Sequence, residues 1–82
     1  MHDRVPLHAE SWSWTLERTG HGLLLSVMCG TVGLYERAIL LTAPEVQIWA
    51  DGGPTALEPL VAAIRNDVTG EDFADRYRPD LL

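Results

Sequence analysis

Between Glu10 and Cys29 the apolar residues fall at alternate positions on both sides of a glycine-bracketed turn. Trp12, Trp14 and Leu16 alternate with Ser11, Ser13, Thr15 and Glu17, the period of two that marks a half-buried strand. Thr19-Gly20-His21-Gly22 supplies two glycines that can take the positive φ of a tight hairpin. With the turn centred between Gly20 and His21, Trp12 faces Cys29, Trp14 faces Val27 and Leu16 faces Leu25. Ser13 then faces Met28, and Thr15 faces Ser26, on the other side. All three apolar pairs land together, whereas a slip of one residue would turn one strand's set to water. Strands are predicted over 10–19 and 22–29.

A second turn or bulged connection at Gly30-Thr31-Val32-Gly33 leads to a third strand over 34–41. Its alternation is imperfect. One side carries Leu34, Glu36, Ala38 and Leu40, the other Tyr35, Arg37, Ile39 and Leu41, so either side takes a charge inward unless a bulge re-aims it. Beyond residue 41 the pattern becomes helical. Thr42-Ala43-Pro44-Glu45 and Thr55-Ala56-Leu57-Glu58 each place Glu three residues after Thr, the spacing of a capping box, and Thr69-Gly70-Glu71-Asp72 is a weaker version with Asp.

Helices are predicted over 43–51, 55–66 and 70–77. The first stops at Gly52-Gly53 and buries Val46, Trp49 and Ala50, although Val46 to Trp49 also alternates as a fourth strand would. The second presents Leu57, Leu60, Val61, Ile64 and Val68 on one side, with Pro59 in its first turn. The third pairs Asp72 with Arg76 one turn apart and places Phe73 beside Tyr77. The expected fold is therefore α+β: a three-stranded antiparallel meander with two or three helices on one face. Residues 1–9 read as a flexible N-terminal arm and 10–82 as a single domain.

A chain of 82 residues has room for one domain with a thin stability margin, so self-association, such as a homodimer, is expected to help. Twelve acidic residues against six Arg give a net charge of −6, which disfavours phosphate backbones. Lysine is absent, which excludes a phosphate-loop lysine, a Schiff base and a lysine general base. One cysteine, Cys29, cannot close an internal disulfide or build a Cys-pair zinc site. The N-terminus shows no signal-peptide pattern, and no apolar run is long enough to span a bilayer. A cytoplasmic location without nucleic-acid or membrane partners is expected.

Candidate chemistry is sparse. Cys29 is the one thiol nucleophile available, and it needs a base nearby. His21 is too far along the same strand, whereas His8, oriented by Glu10 or Glu36, lies towards the same end of the expected sheet. Opposite Trp12, however, Cys29 reads as a packed core residue. His2, His8 and His21 lack metal-ligand spacing, so no metal or cofactor is implied. Trp12 and Trp14 read as core rather than as a stacking platform, and Gly30 to Gly33 as a turn rather than an anion cradle.

Tyr35-Glu36-Arg37 must place a charge on a half-buried side, where it needs a partner. These residues, with Arg76 and Arg78, are the candidate binding positions; in the plainer reading Arg37 pairs with Glu, and Arg76 and Arg78 with Asp72, Asp75 and Asp80. The functional expectation is a small, acidic, non-catalytic protein-binding module of bacterial style, an adaptor, inhibitor or immunity-type protein, with a basic or strand-donating partner. The alternatives are a small enzyme or ligand-binding protein using Cys29, His8 and Glu36, and a homo-oligomeric structural subunit.

Overall fold

A computed structural model describes residues 4–10, 13–30 and 33–82. It is an α+β arrangement of four antiparallel strands and two α-helices. The strands are β1 (Val5–Glu10), β2 (Trp14–Thr19), β3 (Gly22–Cys29) and β4 (Tyr35–Leu40), adjacent in chain order. Helices α1 (Ala43–Gly52) and α2 (Pro54–Arg65) follow, and a 3-10 turn, Pro79–Leu81, lies near the end.

The central hairpin has the register expected of its alternation. Trp14 pairs with Val27, Thr15 with Ser26 and Leu16 with Leu25, closing at Thr19 and Gly22. Gly22 takes φ of 123°, and Thr19 Oγ1 accepts from the His21 N–H while donating to the Gly22 carbonyl. The expected pairing of Trp12 with Cys29 lies outside the described residues.

The fourth strand is β1, in the segment read from sequence as an arm. Its pairing shifts register between Pro6 and His8, so Pro6 meets Glu17 while His8 meets Leu16. The bulge sends two residues of like parity to opposite faces, which hides the strand's period. Pro6 is tolerated because β1 is an edge strand and needs no outward N–H.

Helix α1 begins as its capping box predicts. The Thr42 N–H donates to Glu45 Oε1 at 2.8 Å, and the Glu45 N–H donates to Thr42 Oγ1 at 3.4 Å. This helical segment replaces the alternative strand at 45–50; Val46 and Trp49 are half-buried, but Ala50 is exposed. The second predicted box does not form. Pro54 opens α2 one residue early, with its ring-locked φ suited to the first helical position, so Thr55 falls inside the first turn and Gly53 is the cap. Leu57, Val61 and Ile64 are buried as their spacing demands. Val68 is not, because α2 ends at Arg65, and it stands 83% exposed.

The third predicted helix is absent: residues 68–76 form turns, and Tyr77 makes a single antiparallel bridge to Ile39. Asp67 rather than Thr69 gathers the local N–H groups. Its Oδ1 accepts from Glu71 and Asp72, and its Oδ2 from Phe73. A carboxylate that draws three successive N–H groups toward one point satisfies them without a helix.

The core lies on one side of the sheet. Trp14, Leu16, Leu25, Val27, Cys29 and Ile39 pack against Leu57, Val61 and Ile64 of α2, with Trp49 of α1 at the margin. At about 1.5–3 kcal/mol for each large buried aliphatic side chain, this contact is the main stabilising term. The opposite, helix-free face carries Thr15, Glu17, Leu24, Ser26, Met28, Glu36, Ala38 and Leu40 by the same registers. Leu24 and Ala38 are nonetheless buried. At that end the Arg78 N–H donates to the Ala38 carbonyl, the 3-10 turn contacts β4, and Arg4 bonds both Glu17 and the Leu81 carbonyl.

Candidate functional site

Cys29, His8 and Glu36 are not brought together. Cys29 is buried in the core and its Sγ lies 3.5 Å from the Val27 carbonyl. Burial pushes its thiol pKa up, against the pull of Arg37 and Arg65, which disfavours the reactive thiolate. His8 sits two strands away. Its pairing through Leu16 and Leu25 puts its backbone roughly 16 Å from Cys29 at ordinary strand spacings. The imidazole instead stacks on Trp14 with ring centroids 4.6 Å apart, and its Nε2 is 3.3 Å from Glu10 Oε1. Glu36 lies on the helix-free face beside Met28. Trp14 is 1% exposed and belongs to the core.

Arg37 has an architectural position. It lies on the core side of β4, and its guanidinium donates to the Ile64 carbonyl in the last turn of α2 and to the Asp67 carbonyl just beyond it. There it meets the negative end of the helix dipole. The rings of Tyr35 and Tyr77 flank it at 5.1 and 5.3 Å. This cation is therefore partnered by carbonyls and aromatic faces, not by Glu36.

Arg76 likewise turns inward. It grips Glu45 with two hydrogen bonds, of 3.0 and 2.5 Å, and donates to the Leu40 carbonyl. The expected pairing with Asp72 requires a helix that does not form. Desolvation raises the Glu45 carboxyl, but the bonds from Arg76 and Thr42 outweigh it and leave the pKa lowered. Arg78 pairs with Asp80 at 2.9 Å, one of the partners expected of it. Among the described residues no group of three or more His, Cys, Asp or Glu is placed to hold a metal ion.

A groove of about 250 Å³ opens at one end of the helix-free face. Thr15, Ser26, Met28 and Glu36 line it from β2, β3 and β4, with Ala9, Glu10, Ser13 and Trp14 around the β1–β2 corner. Arg65 closes one rim by donating to Ser13 Oγ and to the Ser13 and Met28 carbonyls. Leu34 and Tyr35, where β4 begins, are exposed. Of the groove residues the sequence singles out Glu10, Glu36 and Trp14, the last as a core residue. The alternation of Ser13, Thr15, Ser26 and Met28 opposite the core residues was the available signal for the rest.

Comparison of the chain with protein-family models, curated proteins and solved structures found no match. No helix among the described residues is long and apolar enough to cross a membrane.

Proposed function

We propose that this protein is a small non-catalytic binding module for a basic protein segment, received on the helix-free face of the sheet around Glu36. The observation that carries this reading is the partition of charge. Of the six arginines, Arg4, Arg37, Arg65, Arg76 and Arg78 are engaged within the fold by carbonyls, carboxylates or a hydroxyl, and Arg18 is exposed. Glu36, Glu58, Glu71, Asp72 and Asp75 are exposed and make no ion pair among the described residues. With five of six arginines engaged by groups of the fold and these carboxylates exposed and unpaired, a chain of net charge −6 presents a negative field that steers basic partners.

A strand-donating partner is less well supported. One outer edge carries Pro6 and a bulge, while the other is occupied at Ile39 by Tyr77. Both devices discourage strand addition.

The test is binding of the whole chain to arrayed basic, neutral and acidic peptides at low and physiological salt. Binding should be confined to the basic set and should weaken steeply as salt rises. Equal binding to all three sets, or to none, rejects the proposal.

A further inference from the structure

Resting on that reading, we propose that the groove seats a primary ammonium on an alkyl stem, as at the end of a lysine side chain of the basic partner. Ser26 is 8% exposed, and its hydroxyl, which makes no hydrogen bond among the described residues, opens into the groove. Leu25 and Val27 on either side of it point into the core, so alternation aims Ser26 into the groove. A hydroxyl that meets solvent only through the groove is free to accept from an entering donor.

Glu36 supplies the sign. Its carboxylate is on the same face, one strand over, and it disfavours an anion while favouring a cation. Thr15 places a second hydroxyl beside Ser26 in direct register. Two hydroxyls and one carboxylate suit the three donors of a compact ammonium, whereas a planar guanidinium is best matched by paired acceptors in its own plane. Met28 and Ala9 give the stem apolar walls. A groove of about 250 Å³ is smaller than the roughly 300–1,000 Å³ of small-molecule sites and suits one side chain. The chain has no lysine of its own to occupy it.

The two methionines are Met1 and Met28, so methyl-13C-methionine labelling places one reporter in the groove. Blocked glycine–serine peptides bearing three lysines, three arginines or three norleucines are titrated into the labelled chain at low salt. The lysine peptide should move the Met28 methyl signal saturably and bind more tightly than the arginine peptide, with norleucine inert. Glu36→Gln, at an exposed position, should weaken lysine binding about tenfold by losing a charge-assisted hydrogen bond, and Ser26→Ala several-fold. Lysine binding that leaves the Met28 methyl still and is unaffected by Glu36→Gln overturns the seat while leaving the basic-partner reading intact. Arginine peptides that act equally well overturn the ammonium assignment. Failure of both charged peptides to bind defeats both readings.

Discussion

Tyr77 Oη donates to Asp67 Oδ2 at 2.7 Å, joining the end of the helical segment to the strand-like residue that bridges β4. Asp67 is 1% exposed and accepts three backbone N–H groups besides this phenol. One carboxylate therefore organises residues 67–77. Asp67→Ala leaves several donors unpaired and should lower the melting temperature by on the order of 10 °C. Tyr77→Phe removes one bond and should lower it by about 5 °C. Thermal unfolding followed by circular dichroism measures both; a neutral Asp67→Ala would show that this segment contributes little to stability.

The same pair sets a pH window for stability. Desolvation raises the Asp67 pKa, but the Tyr77 hydroxyl and the N–H groups of Asp72 and Phe73 outweigh it, so the carboxyl lies below its ordinary 3.8. Its contribution, like that of Glu45, is complete above the unfolded pKa and is lost as pH falls through the folded value. Tyr77 is pushed up to about 12 from 10.0, first by burial and then by its bond to Asp67. The neutral phenol is the folded form, so its contribution is complete below pH 10 and is lost as pH rises towards about 12. Urea midpoints across pH should show both limbs, and Tyr77→Phe should flatten the alkaline one.

Glu45 serves two structures at once, capping α1 and holding Arg76. Glu45→Gln retains a capping acceptor but loses the ionic partner. A double-mutant cycle with Arg76→Ala should return a coupling of about 1 kcal/mol, the range for a partly exposed bidentate pair. Independent, additive effects would mean that the pair does not anchor the C-terminal segment.

Cys29 tests the catalytic alternative directly. A buried thiol with a raised pKa should resist alkylation at neutral pH in the folded chain and react fully in denaturant. Cys29→Ala should cost about 1–2 kcal/mol of stability through lost packing. Immediate labelling of the native protein would contradict this account and restore the thiol as a nucleophile.

The hairpin, both helices and the burial of Leu57, Val61 and Ile64 were legible because each follows from a local period or cap. What escaped was non-local. The β1 strand hides behind a bulge, and its pairing with β2 is what turns Val5–Glu10 from a polar stretch into an edge. Thr69 has the spacing of a cap, but Asp67 accepts the N–H groups of Glu71, Asp72 and Phe73, which only the turn geometry reveals. The groove escaped for the same reason, since its walls come from four strands and a corner.

The linear chain alone determined which residues of β2 and β3 face each other, where α1 starts, and that lysine chemistry is absent, since these depend on neighbours in sequence and on composition. Only the tertiary structure decided which side of β4 turns inward. Both sides carry a charge, and the deciding contact is Arg37 reaching the carbonyls of Ile64 and Asp67, residues far along the chain that folding alone brings within hydrogen-bond range.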